Sequence, residues 1–195
     1  MKKLIFATTN ENKLFEVKKL LKNYYDVVGL KEIGFEHNII ENKSSIIGNS
    51  IHKALFVKEK TGFNCFADDT GLEVDVLDGA PGVHSKRYAG INASSEDNIN
   101  KLLNSLQGVK NRKAQFKTVI SLNIDEKIRT FIGICKGKIL NKKKGEYGFG
   151  YDPIFVPEKS KLSFAEMTIE EKNKIGHRGI AIQKLFFYLT NLYSK

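Results

Sequence analysis

Four groups of polar side chains stand at the ends of apolar runs in this sequence, and the carboxylates are the most telling. Phe66-Ala67-Asp68-Asp69-Thr70-Gly71-Leu72 sets two adjacent aspartates directly after the short apolar run Cys65-Phe66-Ala67, where like charges repel unless a cation relieves them. Carboxylates are natural ligands of Mg²⁺, which usually takes one or two of them and completes its shell with phosphates and water. Glu41, from an earlier loop, is available as a third. The plainer possibility is a turn in which one aspartate caps the backbone. Thr8-Thr9-Asn10-Glu11-Asn12-Lys13 brings hydroxyls, amides and an ammonium to a strand-to-helix turn, where helix N–H groups already favour anions. Those residue types suit phosphate oxygens, yet the glycines of a P-loop are missing and a helix cap explains the same residues.

Gly148-Phe149-Gly150-Tyr151-Asp152-Pro153 combines glycines that permit close backbone approach with rings that offer a stacking face. Its bland alternative is a tight turn over the core. Glu171-Lys172-Asn173-Lys174-Ile175-Gly176-His177-Arg178-Gly179 gathers an ammonium, an imidazole and a guanidinium in a polar break between helical segments. A lone histidine is usually structural, but His-Arg between glycines, beside three other polar clusters, is harder to dismiss.

The elements that must position these groups follow from apolar periodicity. Leu4-Ile5-Phe6-Ala7 predicts a buried N-terminal strand, and Leu14, Val17, Leu20 and Leu21 predict a helix from about residue 13 to 22. Ile47, Ile51, Ala54 and Leu55 mark a second helix, with Ser44 or Ser45 as N-cap, Gly62 as its stop and Lys53 off the apolar stripe. Cys65-Phe66-Ala67 predicts a short strand ending at the aspartates. Ser94 and Ser95 before Glu96 and Asp97 open a third helix carrying Ile99, Leu102, Leu103 and Leu106, which stops at Gly108. Ala114, Phe116, Thr118, Ile120, Leu122 and Ile124 alternate with mostly polar residues, Asp125-Glu126-Lys127 turns the chain, and Ile128, Thr130, Ile132 and Ile134 alternate again. These are two neighbouring antiparallel strands. Thr168 and Glu171 form a capping box, and Ile182, Leu185, Phe186, Leu189 and Leu192 stripe a C-terminal helix. The order predicts an α/β fold with a mixed, largely antiparallel sheet of long central strands flanked by helices.

Composition narrows the classes. A chain of 195 residues fits one domain, or one domain plus a lobe. With 41% apolar and 28% charged residues and only 3 prolines, it is neither disordered nor low-complexity. A net charge of +10 favours phosphate-bearing partners, on nucleic acid or on small nucleotides. Lys142-Lys143-Lys144 reads as a solvated loop. Cys65 and Cys135 lie far apart in apolar runs and are expected to be reduced core residues. No run approaches membrane-helix length, and the N-terminal apolar run is too short for a signal peptide. A soluble, intracellular protein is expected.

On the Thr8-to-Lys13 turn, Ala67-Asp68-Asp69-Thr70-Gly71-Leu72 with Gly79-Ala80-Pro81-Gly82-Val83, and Phe149-Gly150-Tyr151-Asp152-Pro153 followed by Glu171-Lys172-Asn173 and His177-Arg178, the chain resembles the inosine triphosphatase or Ham1-like family of non-standard purine nucleoside triphosphate pyrophosphatases. The resemblance runs from about Leu4 to Leu189. It implies Mg²⁺-dependent hydrolysis of ITP, dITP and XTP between the α and β phosphates, clearing the nucleotide pool, with no organic cofactor. It further implies that Asp69 is the general base, close to the metal, and that Glu41 helps hold Mg²⁺. Thr8, Thr9, Asn10, Lys13 and Thr70 would grip the triphosphate, with Lys53 and Lys86 adding cationic contacts; Arg87 beside Lys86 could serve instead. Phe149 would stack on the base, flanked by Gly150 and Tyr151, and Asp152, Lys172, His177 and Arg178 would read the purine edge. Donors buried against the oxygen at position six would be left unpaired by adenine, which discriminates strongly.

The resemblance also implies a single domain over 1–195 with an elongated two-lobed architecture, the site in the groove between lobes, a homodimer and a cytoplasmic location, with no nucleic-acid or membrane partner. The departures are Gly176 before His177 where serine is frequent, Ser50 after Asn49 where alanine is frequent, His84 at a position often aromatic, Thr70 where serine is common, and Glu146-Tyr147 in place of a more glycine-rich lead into Gly148. A sister pyrophosphatase for modified pyrimidines is the nearer rival. A basic nucleic-acid-binding module is the other, and it leaves Asp68-Asp69 and the glycine-flanked His177-Arg178 unexplained.

Overall fold

In chain order the elements are strand β1 (Lys2–Phe6), helix α1 (Glu11–Leu21), strand β2 (Tyr25–Gly29), helix α2 (Ile46–Thr61), strand β3 (Cys65–Val74), the short strand β4 (Pro81–Gly82), helix α3 (Ser95–Ser105), strands β5 (Lys113–Ile124) and β6 (Lys127–Ile139), strand β7 (Phe155–Pro157), and helices α4 (Ile169–Ile175) and α5 (His177–Tyr193). They come from a computed structural model that describes residues 2–193. The sheet order is β2-β1-β3-β5-β6-β7, with β4 on β3. β1 runs parallel to β2 and β3, whereas β4 pairs antiparallel with β3 and β7 with β6. The chain therefore has the expected α/β fold with a mixed sheet. By its internal contacts it divides into one compact unit of Met1–Asp69, Thr118–Gly133 and Ile180–Lys195, and a second of Thr70–Lys117 and Ile134–Gly179.

Local chemistry sets the element ends where the sequence points to them. Asn10 caps α1 by accepting from Lys13 N–H, Ser45 caps α2 by accepting from Gly48 N–H, and Ser94 and Thr168 close reciprocal capping boxes with Asp97 and Glu171. α2 stops at Gly62, whose φ of 72° is left-handed. Asp125 and Glu126, both with positive φ, form the two-residue turn between β5 and β6, the geometry that matches strand twist in a hairpin.

In the first unit, β1 and β3 stack Phe6 on Phe66 with centroids 4.5 Å apart. α1 and α5 cover that side through Val17, Leu21, Ile182, Leu185 and Leu189, while Ala54 and Val57 of α2 pack with Cys65 and Ala67. In the second unit, Leu72, Val74, Phe116, Cys135, Phe155 and Phe164 form a core with Leu102 and Leu106. Both cysteines are buried and free.

Four expectations need correction. β3 does not end at the aspartates but continues to Val74, so Asp68 and Asp69 are strand residues and not a capping turn. Pairing of Leu72 with Gly82 and of Glu73 with Pro81 holds the strand past residues of poor β-propensity. On α2 the buried face is Ile46, Asn49, Ser50, Lys53, Ala54 and Val57, whereas Ile47 and Leu55 are exposed; Lys53 is on the inward face. On β6 the inward positions are Gly133, Cys135, Gly137 and Ile139, with Ile132 and Ile134 outside. Gly137 lies against Val156 and the Phe155 ring, where a Cβ has no room. Leu192, placed on the α5 stripe, is exposed.

Candidate active site

The inward face of α2 is polar because it meets carboxylates. Lys53, 6% exposed, donates to Glu41 Oε1 at 2.7 Å and lies 3.4 Å from Asp69 Oδ1. One turn earlier, Asn49 Nδ2 donates to Asp69 Oδ2 at 3.2 Å, and Asn49 Oδ1 accepts from Lys43 N–H at 2.9 Å. Residues i and i+4 of a helix lie one above the other, so a single helix face addresses both oxygens of Asp69. Beneath them, Ser50 Oγ donates to the Ala67 carbonyl and pairs with Ser121. The serine that departs from the family pattern thus ties α2 to β3 and β5.

Burial pushes the Asp69 carboxyl upward, Lys53 and Lys13 draw it back, and Glu41 and Asp68 raise it again; the net direction is up. For Lys53, burial opposes the charge, but Asp69, Glu41 and Asp68 outweigh it and hold the ammonium above its ordinary value. Burial together with specific charged partners is the kind of environment that marks candidate acid–base residues.

The residues on either side of Asp69 also have cationic partners. Asp68, buried, accepts from Lys13 Nζ at 2.8 Å, and Thr70 Oγ1 accepts from Arg178 Nη2 at 3.2 Å. Three consecutive strand residues, Asp68, Asp69 and Thr70, are therefore met by Lys13, Lys53 and Arg178. Because side chains alternate along a strand, Lys13 reaches its aspartate from the α1 side and Lys53 from the α2 side. The three lie between the pairing of β3 with β1 at Phe66 and with β4 at Leu72. Thr8 adds a local contact, its Oγ1 accepting from Asn10 N–H.

In the second unit, the Gly148-to-Pro153 segment is clamped by Asp152. Its Oδ2 accepts from Phe149 N–H at 2.8 Å and from Lys172 Nζ at 2.6 Å. Gly148, at φ 77°, passes so close to that carboxylate that a Cβ would strike it. Lys172 Nζ stands 4.8 Å and Arg178 Cζ 5.6 Å from the Phe149 ring centroid, both within cation–π reach of the ring. Tyr151 turns inward, its hydroxyl donating to the Ser85 carbonyl at 2.8 Å. His177 is buried and stacks on Phe116 with centroids 4.5 Å apart and planes at 16°.

Gly176 ends α4, and His177 opens α5, so the polar break delivers Lys172, His177 and Arg178 from adjoining helical turns. Gly179 sits against the Asn173 backbone, where no side chain fits. Thr9 and Lys86 are exposed and are not drawn into either group among the described residues. Lys86 lies on the 3₁₀ turn 85–87. Asn49 and Phe116 were not singled out by sequence; the available signals were the i, i+4 spacing of Asn49 to Lys53 and the inward register of Phe116 in the alternation of β5.

Among the described residues, no three His, Cys, Asp or Glu side chains are gathered into a ready-made metal cage, and no helix is long and apolar enough to cross a membrane. The donor chemistry nonetheless suits a hard divalent cation that keeps phosphate and water ligands, since the Glu41 and Asp69 carboxylates lie close enough to share one ammonium and a divalent cation would supply the same counter-charge.

The Ham1 family model matches residues 4–188. A protein of Flavobacterium johnsoniae named dITP/XTP pyrophosphatase is 51% identical over 96% of this chain and 98% of its own length. The Ham1 protein of Staphylococcus aureus superposes with a TM-score of 0.87 at 39% identity, covering 97% of this chain and 99% of that one. A HAM1 protein from Coxiella burnetii does so with a TM-score of 0.88 at 36% identity, covering 98% and 100%.

Proposed function

We propose that this chain, which belongs to the Ham1 family, is a nucleoside triphosphate pyrophosphatase that hydrolyses dITP, ITP and XTP to the monophosphate and pyrophosphate, with Mg²⁺ bound at Glu41 and Asp69. The observation that carries this reading is the buried, upward-shifted carboxyl of Asp69, held at one oxygen by Lys53 and at the other by Asn49, with Lys13 and Arg178 on the two neighbouring residues.

Asp69 accepts the proton of the attacking water as the bond between the α and β phosphates breaks and pyrophosphate departs. The metal, when bound, neutralises phosphate charge and makes its water more acidic. Lys13, Lys53 and Lys86 stabilise the charge that grows on the leaving pyrophosphate, and Thr8, Thr9, Asn10 and Thr70 hold phosphate oxygens. Phe149, with Gly150 and Tyr151 shaping its turn, stacks on the purine. Lys172, His177 and Arg178 present donors to the oxygen at position six, and Asp152 fixes Lys172 and the Phe149 backbone for that task. Adenine, with an amino donor there, leaves these groups unpaired.

Residues 1–195 act as one catalytic domain. The working form is a homodimer in the cytoplasm, where the triphosphate pool is made and used; light scattering checks the first point.

The decisive experiment incubates the protein with dITP, ITP, XTP, GTP, ATP and a panel of modified pyrimidine triphosphates, with Mg²⁺ and with EDTA, and separates the products. IMP or XMP plus pyrophosphate, lost in EDTA, is expected. A nucleoside diphosphate plus phosphate, or preference for a pyrimidine, overturns the reading.

A further inference from the structure

Asp69 is oriented by two side chains of different character, and one of them has no role in the proposed chemistry. Lys53 brings charge to Oδ1 and to Glu41. Asn49, 1% exposed, brings a neutral donor to Oδ2, and its carbonyl oxygen accepts from the backbone of Lys43. Glu41 and Lys43 belong to the same irregular segment before α2. The contacts therefore close a ring: from the 41–43 segment through Asn49 to Asp69, and from Asp69 through Lys53 back to Glu41.

The chemistry of the partners fixes the amide. An N–H at Lys43 demands the oxygen on one side, and an ionised carboxylate demands the NH₂ on the other, so only one of the two flip states satisfies both. A carboxylate at position 49 would repel Asp69, and an alkyl side chain would leave the Asp69 oxygen and the Lys43 N–H without these partners.

We propose that Asn49 is a positioning residue that sets the rotamer of Asp69 and holds the Glu41 segment in register with it, so that the two carboxylates converge on one divalent cation. The proposal rests on the pyrophosphatase reading. Residues that orient metal ligands typically change metal affinity or activity by about 10-fold or more when removed.

The test compares Asn49→Ala and Asn49→Asp with the wild type. Mn²⁺ binding to the nucleotide-free protein is followed by electron paramagnetic resonance, and steady-state ITP hydrolysis at saturating Mg²⁺ is scaled to the folded fraction from near-ultraviolet circular dichroism. For Asn49→Ala, Mn²⁺ binds about 10-fold more weakly and kcat falls about 10-fold, while KM for ITP stays within about twofold because Asn49 touches none of the base-reading side chains. Asn49→Asp keeps the volume and the acceptor for Lys43 but loses the donor, and its kcat falls at least as far.

Wild-type Mn²⁺ affinity and kcat in Asn49→Ala, or losses that vanish once scaled to folded protein, overturn the proposal. If Asn49→Ala does not fold, Asn49→Asp decides it, and an unchanged kcat there refutes it. A wild type that does not cleave ITP removes the functional reading together with this one, whereas an active wild type with indifferent variants removes this one alone.

Discussion

Replacing Lys53 with methionine keeps the volume of the stem and deletes the ammonium that Glu41 and Asp69 share. Lys53 and Asp69 are each 6% exposed, so little water can take over the lost contact. Breaking a buried pair by removing one partner typically costs about 3 kcal/mol or more, because the remaining charge stays buried. In a domain of this size, about 3 kcal/mol corresponds to a fall of roughly 6–12 °C in Tm.

The pH dependence separates this cause from lost packing. In the wild type the folded-state pKa of Lys53 is raised, so its contribution is complete below the unfolded value of about 10.4 and is lost only as pH rises through the folded one. The Asp69 carboxyl is already lifted by burial and rises further without Lys53. A carboxyl whose pKa is higher folded than unfolded makes the folded state more stable as pH falls through that window. The stability gap between wild type and Lys53→Met should therefore be widest near neutral pH and narrow as the pH falls and Asp69 takes up a proton. Thermal melts by circular dichroism across that range read it directly. A gap below about 1 kcal/mol, the size of a solvent-exposed pair, or one that stays constant with pH, refutes the argument.

Gly148→Ala drives a Cβ into the Asp152 carboxylate at a left-handed φ; kcat/KM for ITP should fall about 10-fold with weaker preference over GTP, and unchanged steady-state kinetics would dismiss Asp152 as the clamp. Asn123 is buried on β5 with neither amide atom partnered among the described residues, so Asn123→Leu should raise the unfolding free energy by about 1 kcal/mol in a denaturant titration; a loss would show that the amide is satisfied after all. Burial pushes the Cys65 thiol up to about 12 and the Cys135 thiol up to about 11. Neither should react with an aromatic disulfide at about pH 8 in the native protein, and both should react once unfolded; fast native labelling would contradict that burial.

The sequence made the helix starts at Ser45, Ser94 and Thr168 legible because capping is a local contact between residues three apart, whereas the first helix, expected from about residue 13, starts at Glu11 behind an Asn10 cap. The β5–β6 hairpin was equally visible, as two alternating runs around Asp125 and Glu126. Periodicity failed where burial and polarity part company. On α2 the apolar residues Ile47 and Leu55 face out while Asn49, Ser50 and Lys53 face in, and on β6 Ile132 and Ile134 stand outside while Gly133 and Gly137 face the core. A pattern of apolar residues reports the inward face only when the interior is apolar, and here part of it is a charged site.

By itself, then, the sequence determined the α/β class, most element positions and the residue types gathered into four clusters, since these follow from short-range periodicity, caps and motif spacing. Which ions pair was decided by the tertiary structure alone. Lys13 meets Asp68 across 55 positions, Lys53 meets Asp69 across 16, and Arg178 meets Thr70 across 108. No local rule encodes such partners; they arise because α1, α2 and the first turn of α5 each bring a side chain distant in sequence to one of three consecutive residues of β3.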